Sequence, residues 1–107
     1  MKKTFYFGKV AHASAKKINL IEITLETRTG NWAGNVAISG GFWNSTKSDF
    51  VEAGQCLDSI AKYRGQFTPE NRRLFDKLYH LWNTCHLKYW EQISEQDKKT
   101  IDELLKK

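Results

Sequence analysis

The stretch Ile18-Asn19-Leu20-Ile21-Glu22-Ile23-Thr24-Leu25-Glu26 decides the fold class, because most of it alternates between apolar and polar side chains. A period of two is typical of a β-strand with one buried face. Ile21, Ile23 and Leu25 share one phase, whereas two earlier apolar residues share the other. A β-bulge near Leu20 would reconcile the two phases. The stretch therefore predicts a long strand.

Further strands are predicted on both sides of this stretch. Phe5 and Phe7 lie in an earlier apolar segment that is typical of a strand. Thr29-Gly30-Asn31 is a turn signal, because glycine and asparagine tolerate positive φ, and residues 32–38 then alternate again. We therefore expect an antiparallel meander of three or four strands within residues 1–46.

The rest of the chain carries helix signals. Apolar spacing predicts a helix over 50–65. Thr68-Pro69-Glu70-Asn71 combines a capping hydroxyl, a proline at the first helical position and an early acid, which predicts a helix over 69–89. Ser94-Glu95-Gln96-Asp97 predicts a last helix over 95–106. Strands followed by helices indicate an α+β fold, with two or three helices packed on one face of the sheet.

The composition is that of one globular domain spanning residues 1–107. Hydrophobic residues make up 40% and charged residues 27%, which are ordinary values for a folded protein. No apolar run reaches the roughly 20 residues needed to cross a bilayer, and no signal peptide is recognisable. We therefore expect a cytoplasmic protein without membrane contact. Cys56 and Cys85 are far apart in sequence and are predicted to be reduced, buried thiols.

The net charge is +5, and its distribution is uneven. Residues 1–31 carry +4, residues 32–67 carry zero and residues 68–107 carry +1. A positive field concentrates phosphates and carboxylates near it, so the charge favours an anionic partner.

The segment Gly40-Gly41-Phe42-Trp43-Asn44 is the first candidate for a ligand site. Trp43 could stack on a base or a sugar, and Asn44 and Gln55 could hydrogen-bond to it. The alternative is structural: Phe42 and Trp43 would occupy opposite faces of a strand end, one in the core and one covering a neighbouring helix.

The candidates for binding phosphate are Arg64, Arg72 and Arg73, because one guanidinium group can donate two parallel hydrogen bonds to a phosphate. The alternative is a solvated helix surface on which the arginines pair with Glu70 or Asp76.

The sequence predicts neither catalysis nor a metal site nor a cofactor. His80, Cys85 and His86 lack the spacing of a tetrahedral site, because adjacent Cys85 and His86 diverge on a helix and no CxxC or HxxxH pair is present. Acids and histidines occur, but no GxSxG, P-loop or HExxH motif accompanies them. We therefore expect a protein that is not an enzyme.

Residues 40–87 contain three short motifs, one after another. They are Gly41-Phe42-Trp43-Asn44 with Asp49, Gly54-Gln55-Cys56-Leu57-Asp58-Ser59-Ile60, and Leu78-Tyr79-His80-Leu81-Trp82 with His86-Leu87. In this order they resemble a widespread group of small phage and prophage accessory proteins. Members of that group usually continue with an asparagine, an aspartate and an alanine-glycine step, where this chain has Lys88-Tyr89-Trp90-Glu91.

The resemblance implies a phage-borne accessory protein that blunts host defence in the host cytoplasm. In size and layout the chain is similar to the Thoeris anti-defense proteins, which sequester cyclic ADP-ribose signals. Such a protein needs aromatic rings, cations for phosphate and amides for ribose or base, and it needs no catalytic group. The expectation is a non-catalytic protein that sequesters a small phosphate-bearing nucleotide.

Two alternatives remain open on the sequence. The chain could be a protein inhibitor, similar to anti-CRISPR proteins, that docks on a host defence complex through exposed aromatic residues. It could also bind nucleic acid through its basic N-terminal third. A homodimer is compatible with the eight tryptophan and tyrosine residues.

Overall fold

The computed structural model describes residues 1–11, 18–27, 35–44, 50–54 and 57–106. It has a four-stranded antiparallel sheet in the order β1-β2-β3-β4, followed by helices. The strands are β1 (Lys2–Ala11), β2 (Ile18–Thr27), β3 (Val36–Asn44) and β4 (Phe50–Gly54). The helices are α1 (Asp58–Ala61), α2 (Pro69–Cys85) and α3 (Glu95–Lys106), with 3₁₀ turns at Arg64–Gln66 and Trp90–Gln92. The α+β prediction is confirmed.

The central strand β2 behaves as its alternation predicts, but the bulge lies elsewhere. Ile21, Ile23 and Leu25 are buried, and β2 pairs with β3 without interruption from Asn19 to Thr27. The register shifts in β1 instead, between Tyr6 and Gly8. The prediction of a bulge near Leu20 is therefore wrong.

The apolar residues of β1 explain this bulge. Phe5, Phe7 and Val10 are all buried, although Phe7 and Val10 are three positions apart. An extra residue in the strand lets both reach the same face. Gly8 has φ +82°, a conformation that glycine adopts without steric cost.

The predicted helix over 50–65 is largely wrong. Residues 50–54 form β4, which pairs with Gly40–Trp43 of β3, and only Asp58–Ala61 is α-helical. Pairing satisfies the backbone groups on this edge of β3, which outweighs the helical spacing of the side chains. A Cβ at Gly40 would lie 2.3 Å from Cδ1 of Ile60 in α1, so the missing side chain lets α1 approach the sheet closely.

The two longer helices begin where their caps predict. The Thr68 hydroxyl accepts a hydrogen bond from the Asn71 N–H at 3.1 Å, and Pro69 is the first residue of α2. The Ser94 hydroxyl accepts from the Asp97 N–H at 3.2 Å at the start of α3. These bonds satisfy N–H groups that have no partner within a helix.

Helix α2 ends at Cys85, four residues before the predicted boundary, because the chain turns and follows the edge of β3. Leu87 has φ +62°, its N–H donates to the Val36 carbonyl at 2.7 Å, and the Val36 N–H donates to Lys88 at 3.0 Å. The Ile38 N–H donates to Nδ1 of His86 at 3.0 Å. The turn therefore covers the part of β3 that β4 does not pair with.

The core lies between one face of the sheet and the helices. Phe7, Phe67 and Phe75 form an aromatic cluster, with ring centroids 5.3 to 6.3 Å apart. Cys85 is buried, as predicted, whereas Cys56 lies outside the described residues. Among the described residues, no helix has the length and apolar composition that crossing a membrane requires.

Candidate anion-binding groove

The predicted ring and amide residues lie at the end of β3. Phe42 is 2% exposed in the core, and Trp43 is half-buried. Successive side chains of a strand point to opposite faces, so Trp43 lies on the sheet face away from the helices. Phe42 therefore occupies the core, as the structural alternative predicts. The other half of that alternative, in which Trp43 covers a neighbouring helix, is wrong, because consecutive strand residues face opposite sides of the sheet. The side chain of Asn44 and the whole of Gln55 lie outside the described residues.

Arg64 is engaged in an ion pair with Asp76 of α2. Its Nε donates to Oδ1 at 2.7 Å and its Nη2 donates to Oδ2 at 2.6 Å. This two-point hydrogen bond from Arg64 lowers the pKa of Asp76, and the same bond raises the pKa of Arg64. The ion-pair alternative is confirmed for Arg64, whose hydrogen-bonding groups face a carboxylate of the same chain.

Arg72 stabilises the turn before α2. Its Nη2 donates to the Phe67 carbonyl at 3.5 Å. Its Nε is buried and finds no hydrogen-bond acceptor within the part of the chain that the structure describes. Arg72 is half-buried, so it presents less of its guanidinium to solvent than an exposed arginine would.

Arg73 is exposed and lines a groove of about 350 Å³ between β1, α2 and α3. The groove is lined by Lys3, Phe5, Glu70, Asn71, Arg73, Leu74, Lys77 and Leu104. We call it the basic groove, because it has three cationic side chains and one carboxylate. Of the three predicted arginines, Arg73 is the one that lines this groove, and Trp43 lies on the other face of the sheet.

Helical and strand periodicity bring these residues together. Glu70, Arg73, Leu74 and Lys77 occupy positions i, i+3, i+4 and i+7 of α2, which lie on one side of a helix. Lys3 and Phe5 are two apart in β1 and share its helix-facing side. The Lys3 ammonium lies 5.4 Å from the centroid of the Phe5 ring. The side of α2 that faces β1 is therefore charged at its rim and apolar beneath it.

Two of the three cations of the basic groove, Arg73 and Lys77, are available for a ligand. Among the described residues, the side chains of Arg73 and Lys77 have no hydrogen-bond or ion-pair partner. Glu70, the groove's carboxylate, likewise forms no ion pair within the described ranges. A cationic side chain that has no ion pair with these residues can bind a phosphate or a carboxylate without breaking such a pair.

The sequence-based prediction missed Lys3, Lys77 and Asn71 as site residues. The spacing of Glu70, Arg73 and Lys77 on one side of a predicted helix was a usable signal. Lys3 was not predictable in this role, because the packing of β1 against α2 is a tertiary contact. The basic charge of the N-terminal third pointed only to an anionic partner in general.

A second polar cluster joins α2 to α3. Asp97 is 7% exposed, and its carboxylate accepts hydrogen bonds from Thr84 Oγ1 at 3.0 Å and from Cys85 Sγ at 3.5 Å. Its other oxygen lies 3.0 Å from His80 Nε2. Burial alone would raise the pKa of Asp97, but the hydrogen bonds from Thr84, His80 and Cys85 together have the larger effect. The pKa of Asp97 is therefore lower than that of a free aspartate. Burial also raises the pKa of the Cys85 thiol, which therefore stays protonated.

This cluster is a structural contact between two helices. Its carboxylate is enclosed, and Cys85 has no exposed surface from which to attack a substrate. In the described ranges, no three histidine, cysteine, aspartate or glutamate side chains are grouped so that they could hold a metal ion.

Comparisons of the chain with models of known protein families, with curated proteins and with solved structures give no match.

Proposed function

We propose that the protein is a non-catalytic binder of a small phosphate-bearing nucleotide, which occupies the basic groove. The observation that carries the proposal is the meeting of Lys3, Arg73 and Lys77 around one depression with a single carboxylate. Guanidinium and ammonium groups bind phosphate oxygens through charge-assisted hydrogen bonds, which are stronger than neutral ones.

The size and the floor of the groove support the same ligand class. Its volume of about 350 Å³ is at the lower end of the range for small-molecule sites, roughly 300 to 1,000 Å³. Phe5, Leu74 and Leu104 supply apolar surface for a base or a sugar ring, and the Asn71 amide can hydrogen-bond to either. This arrangement holds a ligand, and it requires no nucleophile or general base.

The biological role follows from the resemblance to phage accessory proteins. A protein that sequesters a nucleotide signal in the host cytoplasm would silence the defence enzyme that the signal activates. Sequestration depends on affinity and protein concentration, so a groove in which Arg73 and Lys77 form no ion pair with the described residues suits it.

Thermal unfolding with a panel of nucleotides, including cyclic mononucleotides and ADP-ribose isomers, tests the proposal. A ligand at 100 times its Kd stabilises a protein by about 2.7 kcal/mol, which raises the Tm of a domain of this size by about 10 °C or more. Arg73→Ala and Lys77→Ala should abolish the shift. Lys62→Ala is the matched control, because Lys62 is exposed and is not among the groove residues. A panel without any shift, or equal shifts in all variants, would contradict the proposal.

A second candidate function, docking on a host protein, is favoured by one observation. Leu87 and Tyr89 are 65% and 52% exposed on the turn after α2. Tyrosine is enriched among the residues that contribute most of the binding energy at protein interfaces. Under this alternative, Tyr89→Ala would remove counter-defence activity in infected cells while nucleotide binding stays intact.

A further inference from the structure

Charge is distributed unevenly along the basic groove, and this uneven distribution would orient its ligand. Glu70 comes first on the groove side of α2, Arg73 follows three residues later and Lys77 seven residues later. A helix rises about 1.5 Å per residue, so Arg73 lies about 4.5 Å and Lys77 about 10.5 Å from Glu70 along the axis. One end of the groove is therefore negative, and the rest is positive.

The negative end offers hydrogen bonds to uncharged groups. A carboxylate repels phosphate but accepts hydrogen bonds from hydroxyls, and the neighbouring Asn71 amide both donates and accepts. No described residue is bonded to the side chain of Glu70 or of Asn71. A pair of adjacent hydroxyls matches these groups, and carboxylates bind the ribose hydroxyl in dinucleotide sites in the same way.

We propose that the basic groove selects ribonucleotides with free vicinal ribose hydroxyls. Glu70, assisted by Asn71, binds the hydroxyls, while Arg73, Lys77 and Lys3 bind the phosphate. This inference rests on the proposed function, because it names the class of nucleotide that the same groove takes. It makes Glu70 a specificity-determining residue for the sugar.

A purely structural role for Glu70 gives a different expectation. An acidic side chain in the first turn interacts favourably with the helix dipole, and Glu70 occupies that position in α2. If Glu70 had that role alone, replacing it would change stability, but the affinity for ribose and for deoxyribose compounds would change equally.

The experiment is calorimetric titration of the whole protein with adenosine 5′-monophosphate, with its 2′,3′-dideoxy analogue and with inorganic phosphate. We expect the ribonucleotide to bind at least about tenfold more tightly than the dideoxy analogue, equivalent to about 1.4 kcal/mol. In Glu70→Ala the two affinities should become equal, and inorganic phosphate should bind more tightly because a repelling charge is gone. Glu70→Gln keeps one acceptor and should give an intermediate ratio.

Glu91→Ala is the matched control, because Glu91 is exposed and does not line the groove. It should leave the ratio of the two affinities unchanged. Equal affinities in the wild type, or an unchanged ratio in Glu70→Ala, would overturn the inference and leave the proposed function standing. If no nucleotide binds at all, the proposed function itself fails.

Discussion

Replacing Gly40 by alanine tests how closely α1 packs against β3 of the sheet. An ideal Cβ at this position would lie 2.3 Å from Ile60 Cδ1, whereas its next nearest neighbours, Glu22 O and Ile60 Cγ1, are both 3.6 Å away. Ordinary contact begins near 3.4 Å, so one methyl group has to move by about 1 Å. Ile60 is fully buried, so this movement disturbs packed neighbours.

Overpacking of this kind costs about 1–3 kcal/mol. Alanine also lowers the conformational entropy of the unfolded chain, which stabilises the folded state by about 0.4–1 kcal/mol. We therefore expect Gly40→Ala to lower the free energy of unfolding by about 1–2 kcal/mol, measured by urea denaturation. Gly65→Ala is the control, because a Cβ at Gly65 meets nothing within 4 Å.

A double-mutant cycle tests the reason for this loss. Ile60→Val removes the methyl group that clashes and alone costs about 0.5–1.5 kcal/mol. The double variant should lose less than the sum of the two single losses, by about 1 kcal/mol. Additive losses, or a Gly40→Ala variant as stable as the wild type, would refute the account of this contact.

Three further predictions concern the polar contacts. Burial lowers the pKa of His86, so its contribution to the free energy of unfolding should be complete above pH 6.5, the pKa of the unfolded chain, and be lost as the pH falls through the lowered native pKa. In His86→Gln, the free energy of unfolding should depend less steeply on pH across this range. An unchanged pH dependence would contradict this role of His86. Asp97→Asn leaves one of the donors at the buried carboxylate without an acceptor and should cost about 1–3 kcal/mol in urea denaturation; a neutral effect would show that the cluster does not hold α3. Arg64→Ala should leave nucleotide affinity unchanged in calorimetric titration, because Arg64 pairs with Asp76 outside the groove, and a large loss would show that Arg64 binds the ligand.

Local signals in the sequence predicted those elements that depend on local interactions. The start of α2 was predictable because Thr68 caps it and Pro69 fits its first position. The strand β2 was predictable because its alternation gives one buried face. In both cases the residues that set the structure are adjacent in sequence.

Elements that depend on distant pairing were not predictable in the same way. The segment Phe50–Gly54 has helical spacing toward its C-terminal neighbours, but it pairs with Gly40–Trp43 and becomes β4. The bulge lies in β1 rather than β2, and the sequence shows a change of phase without showing which of two paired strands contains the extra residue.

The candidate site was predicted only in part, for a related reason. The guanidinium group makes Arg73 a candidate, but Arg64 carries the same group and pairs with Asp76. Lys3 joins Arg73 because β1 packs beside α2, which no spacing along the chain reveals. Single-residue chemistry names candidates, and tertiary packing decides which of them share a groove.

The most direct test of the central claim is mapping of backbone amide chemical shifts during titration with a phosphate-bearing nucleotide. If the basic groove is the site, the largest shift changes will fall on residues 3–5 of β1 and 70–77 of α2, and Arg73→Ala will remove them. Changes centred on Trp43 at the other face of the sheet, or no saturable change in either region, would contradict the claim.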